Sequence, residues 1–208
     1  NEAINMNYRH NHLDIFGSLA YTDSEYSHYT DIHQTLQSKQ MLETEQNLYL
    51  YNRYKYLSPT LGMNWQINES HSVGIRYRPG FGLRSESSQE GKSVANIGGI
   101  LDDETNTDAI VLTEPSPTHE VNMYYNGRAG KLNIDFNADF HDSRSKELKK
   151  YNEISKYQDN RILNTSSNTH NRLYASKLTL TYPLFGGVLT AGSEYSNTMR
   201  YDEYINDE

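Results

Sequence analysis

Leu132-Asn133-Ile134-Asp135-Phe136-Asn137-Ala138-Asp139-Phe140 places an apolar residue at every even position and Asn or Asp at every odd one. Successive side chains of a strand point to opposite faces, so this segment has one greasy face and one strongly polar face. In a soluble sandwich the apolar face meets a core and the polar face meets bulk water. In a transmembrane barrel the apolar face meets lipid and the polar face lines a wet lumen. About nine to eleven tilted residues is also the length that crosses a bilayer as a strand.

The pattern recurs along the chain. Leu57, Pro59, Leu61, Met63, Trp65 and Ile67 alternate with Ser58, Thr60, Gly62, Asn64 and Gln66. Val73, Ile75, Tyr77, Pro79, Phe81 and Leu83 alternate with Gly74, Arg76, Arg78, Gly80, Gly82 and Arg84. Leu13, Ile15, Gly17, Leu19 and Tyr21 form a weaker case, because Phe16 stands among their polar partners. Ile4, Met6 and Tyr8 precede that run, Val121, Met123 and Tyr125 precede Leu132, and Leu178, Leu180 and Tyr182 precede Leu189, Ala191, Ser193 and Tyr195. The whole reads as an all-β, antiparallel up-and-down transmembrane β-barrel segment of about eight strands in four hairpins.

Second strands begin near Leu13, Val73, Leu132 and Leu189, a quasi-repeat of about 60 residues set by hairpin geometry. Short polar turns join each pair: His10–His12, Asn68–His71, Gly127–Gly130 and Pro183–Gly187. Gly and Asn there supply the positive φ that tight turns require. Between hairpins run long polar connections, Thr22 to Asn47, Ser85 to His119 and Asp142 to Asn171, expected to be loops. Structureless loops of that length argue against an ordinary compact domain. Short turns alternating with long connections are instead the habit of outer-membrane barrels, with the long ones outside the cell.

Composition is consistent with this. The chain has 18 Tyr against 5 Phe and 1 Trp. Tyrosine pairs an apolar ring with a wet hydroxyl, and Tyr8, Tyr21, Tyr125, Tyr182 and Tyr195 fall at strand ends, where barrels carry aromatic girdles. A net charge of −8 argues against a nucleic-acid partner held through phosphates. Cysteine is absent, and the longest apolar run, Ala109–Leu112, is far too short for a spanning helix. Residues 1–208 read as part of one outer-membrane β-barrel domain with no plug domain and no signal peptide present. Its first strand runs toward a short turn, so Asn1 and Glu208 both fall on the extracellular side, and the chain is expected to be a slice of a larger barrel.

Candidate chemistry is sparse. His10 and His12 are spaced to chelate a metal but sit in a turn, and the acidic run Asp102, Asp103, Glu104, Asn106 and Asp108 does not match a calcium loop. Gly80-Phe81-Gly82 does not complete a dinucleotide fingerprint. No nucleophile elbow or zinc helix is present. No catalytic, cofactor or metal residue is therefore assigned, and the ligand-binding residues are unknown. Arg76, Arg78 and Arg84 are expected on one face of their strand, and Asp135 and Asp139 on one face of theirs, all in the lumen.

The segments Asn5–Gly17, Val121–Gly127 with Lys131-Leu132, and Lys177–Leu184 with Ala191-Gly192 resemble a recurring hairpin of the outer-membrane β-barrel family of TonB-dependent-receptor-like proteins. The resemblance covers most strands and none of the long connections. It implies a barrel of about 22 strands, a plug domain, an energy-coupling TonB-type partner, and uptake of a scarce extracellular ligand in a lipid outer membrane. Rival readings are a complete eight-stranded barrel with a structural or adhesive role, a barrel enzyme working at the outer rim, and a soluble β-rich glycan-binding protein.

Overall fold

The computed structural model describes residues 2–207 and contains strands and turns with no helix. Nine strands form one antiparallel sheet: β1 (Glu2–His10), β2 (Leu13–Gln37), β3 (Met41–Asn68), β4 (His71–Ile97), β5 (Ile100–Glu114), β6 (Pro117–Ala129), β7 (Leu132–Ser155), β8 (Arg161–Leu184) and β9 (Gly187–Asp207). The lower half of β4 pairs with β6 and its upper half with β5, and β7 divides in the same way on the other side. Thus β5 and β6 share one column of the sheet, broken at Pro115-Ser116, and the sheet has eight columns, as the hydrophobic pattern predicts.

The four short turns fall where the sequence places them. Asn11 has φ 49°, and Gly130 and Gly186 have φ of 61° and 79°. The long connections do not behave as expected. They are not loops: Thr22–Asn47, Ser85–His119 and Asp142–Asn171 lie almost wholly in strands, with tight reversals at 38–40, Gly98-Gly99 and 156–160. The strands simply continue past the apolar segments, up to 28 residues in β3. The reason is backbone hydrogen bonding. A polar, Thr-, Ser- and Tyr-rich segment beside an equally long neighbour satisfies its N–H and C=O groups in a ladder.

Register aligns the apolar residues across the sheet. The row Gly17, Leu61, Tyr77, Val121, Phe140, Tyr174 and Asn197 is formed by successive direct pairs from β2 to β9. Directly opposed residues share a face, so the predicted apolar sets of every column project to one side. The belt on β2 is centred near Gly17, yet on β9 it is centred near Gly192, about five residues below that row. Five residues span about 16 Å and six strand spacings about 29 Å, which inclines the strands by roughly 30° to the belt normal, close to the usual tilt of membrane barrels. Where Pro59 faces Pro79 the β3–β4 ladder lapses, since neither residue can donate.

The sheet is a single layer. Each contact between strands joins hydrogen-bonded neighbours, so nothing packs across either face. Among the described residues the buried apolar side chains are Ala109, 4% exposed, and Pro79, and no large side chain is fully buried. A chain of 208 residues in water would ordinarily close a core. Here Ile4, Met6, Tyr8 and Leu61 are each more than 60% exposed on the apolar face. The fold therefore leaves that face to be covered by something outside the described chain.

Candidate functional site

The functional surfaces are the two faces of this wall, and strand periodicity assigns each residue to one of them. On the apolar face, rims carry paired polar handles. Near the short turns the His71 ring and the Tyr125 hydroxyl hydrogen-bond at 2.8 Å. Toward the long extensions Tyr77 and His119 do the same at 2.8 Å, their rings almost parallel. Tyr21, Tyr174 and Tyr195 mark the extension side of the belt and Tyr8, Tyr125 and Tyr182 the turn side. Amphipathic rings at both margins of an apolar band suit two water–lipid interfaces.

Behind the belt, the opposite face is a hydrogen-bonded polar surface. Arg78 donates through Nε to Glu120 at 2.8 Å, and His141 Nδ1 lies 3.7 Å from the same carboxylate. Asn122 donates to Asp139 at 2.7 Å, Asn137 to Asp135 at 2.9 Å, and the Tyr124 hydroxyl to Asn64 at 3.1 Å. These pairs link β3, β4, β6 and β7 across the inner surface. Asp135 and Asp139 share this face, as predicted, and Arg76 and Arg78 join them.

Arg84 does not. Leu57 pairs with Phe81 and Tyr56 with Gly82, but Lys55 pairs with Arg84, so Leu83 is an extra residue in a β-bulge. The bulge inverts the alternation, and Arg84 stands above the belt on the outer face beside Glu86, 2.5 Å away. The exception at Phe16 also has a cause. Its ring lies over the directly opposed Gly62, where a Cβ would sit 2.1 Å from it. Tyr124 covers Gly74 in the same way. Aromatic rings over cross-strand glycines lie flat along the wall, so these large side chains cost the lumen little width.

The remaining candidates fall apart in space. His10 ends β1 with its ring stacked on Tyr8, and His12 lies in the turn. Gly80-Phe81-Gly82 is interior to β4. The acidic run is strand β5, so its carboxylates alternate between faces. Asp103 accepts hydrogen bonds from the Ser155 hydroxyl, Thr105 Oγ1 and the backbone N–H of Tyr157 and Glu104. The Ser155 bond foremost, with these others, holds its carboxyl below the usual range. Glu104, on the other face, is lowered chiefly by its bond to Lys92 and then by Lys156. Together these contacts tie the tip at 156–160 to β5. Sequence reading missed them, because Asp103 and Ser155 are 52 positions apart and only the register brings them together.

The same is true of Asp142, His170 and Arg172 at the outer margin of the belt. Asp142 accepts from His170 Nε2 at 2.8 Å and Arg172 Nε at 2.9 Å. His170 first and Arg172 after it depress its pKa.

No protein-family model matches the chain, and no curated protein does. Solved structures with a weak overall likeness are outer-membrane proteins. The ferric preacinetobactin receptor BauA from Acinetobacter baumannii is 8% identical at a TM-score of 0.28, with 96% of this chain and 41% of that one covered. The ferric-catecholate import receptor Fiu from E. coli K12 is 7% identical at 0.30, over 97% and 44%. The CymD monoaromatic hydrocarbon channel is 7% identical at 0.27, over 98% and 79%. The chain spans about two-fifths of the length of the first of these receptors.

Proposed function

We propose that this chain forms part of the wall of an outer-membrane β-barrel uptake protein of the TonB-dependent-receptor-like type, and that it performs no chemistry of its own. One observation carries the reading: an apolar belt continuous across all eight columns, backed by a polar face, in a sheet with no second layer. Burying such a belt in water would need a covering layer, whereas lipid covers it directly. The tall extensions at one end of the belt would stand outside the cell and present their inner face to an incoming ligand. A plug domain and an energy-coupling partner belong to the proposal by family resemblance.

The test is the location and mass of the native protein in fractionated cells. A detergent-extracted outer-membrane band well above the 24.0 kDa of this chain supports the proposal. An outer-membrane band at 24 kDa would make it a small complete barrel. A band in the soluble fraction refutes the membrane reading.

A further inference from the structure

We infer that the outer face of β7 and β8, just above the belt, binds the phosphate group of an outer-leaflet lipid. The inference rests on the membrane reading above and concerns a site outside the lumen. Its first support is a charge contrast along the rim. In the first two rows above the belt on β2–β4 the outward charges are matched one for one: Asp23, Glu25 and Glu86 against Lys55, Arg53 and Arg84, with Lys55 2.9 Å from Asp23. Higher up, Asp31, Glu43, Glu45 and Glu90 outnumber Lys92. Above β7–β8 the outward charges are not matched.

In a chain of net charge −8, the stretch Arg144-Ser145-Lys146-Glu147-Leu148-Lys149-Lys150 is its most basic segment. Strand alternation puts Arg144, Lys146 and Lys150 on the outer face and Lys149 on the inner one. The outward residues opposing them on β8 are His170, Asn168 and Asn164, none acidic. Lys146 is held 2.6 Å from Glu114, and Arg172 from Asp142 at 2.9 Å. Arg144, which is exposed, makes no ion pair among the described residues.

The second support is a gap in the sheet at the same place. Thr118 pairs with Ser143 and Glu114 with Lys146, so Arg144 and Ser145 have no ladder partner across the Pro115-Ser116 break. A hollow opens there, bordered by Glu114, which holds Lys146, and by Ser116, Arg144, Lys146, His170 and Tyr201. Backbone that is unpaired on one side, beside two cations, a histidine and a phenol, offers what a phosphate accepts: charge-assisted donors converging from several directions.

Height selects lipid as the source. Phe140 and Tyr174 form the last apolar row, and Arg144 and His170 stand four residues higher. At the tilt derived above this is about 11 Å, within the reach of arginine and lysine stems folding back toward a headgroup layer roughly 5–8 Å deep.

The intact protein, extracted from outer membranes and reconstituted in phosphatidylcholine nanodiscs doped with lipid A, provides the test. Retained lipid A is counted by native mass spectrometry, with membrane insertion checked separately by protease protection. Wild type is expected to retain lipid A, and Arg144→Gln with Lys146→Gln to weaken retention about tenfold. Lys149→Gln, which removes a charge from the inner face of the same strand, should leave it unchanged. Equal loss in Lys149→Gln, or none in the double variant, would overturn the site. Displacement by millimolar inorganic phosphate would overturn the assignment to lipid. Absence of the wild-type protein from the outer membrane, or its full digestion in the protection assay, would instead refute the membrane reading, so the two failures are told apart.

Discussion

An arginine walked along β7 reads out which face meets lipid and at what depth. The belt on this strand runs from Leu132 to Phe140, with Phe136 at its midpoint. Ile134 lies two residues away, about 6.6 Å along the strand and, at roughly 30° of tilt, about 6 Å along the membrane normal. The apolar band of a barrel is about 25 Å tall, so Ile134 stands about halfway from midplane to interface. Outward-facing arginine costs about 2–4 kcal/mol at the midplane and about 0–1 near the interface. Phe136→Arg should therefore cost about 2–4 kcal/mol and Ile134→Arg about 1–2.5 kcal/mol. Asp135, between them, points to the polar face and opposes Asn126 and Thr179. Asp135→Arg loses one exposed bond from Asn137 and should stay within about 0.5 kcal/mol of wild type. The assay is urea-dependent unfolding of the intact protein in phospholipid vesicles, followed by tryptophan fluorescence, to which Trp65 contributes. Equal costs at 134 and 135, or a larger cost at 135, would show that the two faces are assigned the wrong way round.

Two further outcomes follow from inner and outer details. Gly62→Val drives a side chain into the Phe16 ring and should destabilise the wall by about 1–3 kcal/mol. The Phe16→Ala background should remove most of that penalty, and a penalty unchanged in the double variant would mean the ring does not occupy the glycine's space. At the extension tip, the depressed pKa of Asp103 means its contribution is present above the unfolded value, near 3.8, and is lost as pH falls through the lower folded value. Protection of the Tyr157 and Gln158 amides, taken against their intrinsic exchange at each pH, should therefore be present at pH 5, fall away below about pH 4, and be low at every pH in Asp103→Ala. Protection independent of both pH and substitution would show that the carboxylate does not hold the tip.

The apolar belt was legible because its information is local. Lipid on one side and water on the other impose a period of two, and the strands from Leu57 to Ile67 and from Leu132 to Phe140 carry that period in their own composition. Above the belt both faces of each strand meet water, so no alternation is demanded, and Thr22–Asn47 has the composition of a loop while pairing as strand on both sides of the reversal at 38–40. What makes it strand is the length of its neighbours, which no window of sequence contains. Arg84 was misplaced for a related reason. The face of a residue is legible only while register is unbroken, and the extra residue Leu83 has no signature of its own beside Gly82. The Asp142–His170–Arg172 cluster and the Asp103 clamp required register across strands and were beyond local reading altogether.

The two outer edges of the sheet bear on whether eight columns make the whole wall. Among the described residues β1 pairs only with β2, and β9 only with β8. Within the belt, each unpaired N–H or C=O in hydrocarbon costs several kcal/mol, so both edges must be joined in a membrane. They run antiparallel and could join each other, closing eight columns, or could join further strands. An eight-stranded barrel is narrow enough for inward side chains to fill it. This inner face is lined differently: Phe16 and Tyr124 lie flat over Gly62 and Gly74, and the bonds of Asn122, Asn137 and Arg78 run along the wall to neighbours. Such a lining suits a wide lumen, and further strands are expected between β9 and β1. Cysteine pairs in the intact protein in native membranes decide the matter. Ile4→Cys with Leu19→Cys, directly opposed in β1 and β2, should cross-link efficiently and serve as the control. Met6→Cys with Ala191→Cys, opposed only if β1 closes on β9 with the belts level, should remain reduced. Efficient cross-linking of that second pair would make the eight columns a complete barrel and end the case for a larger one.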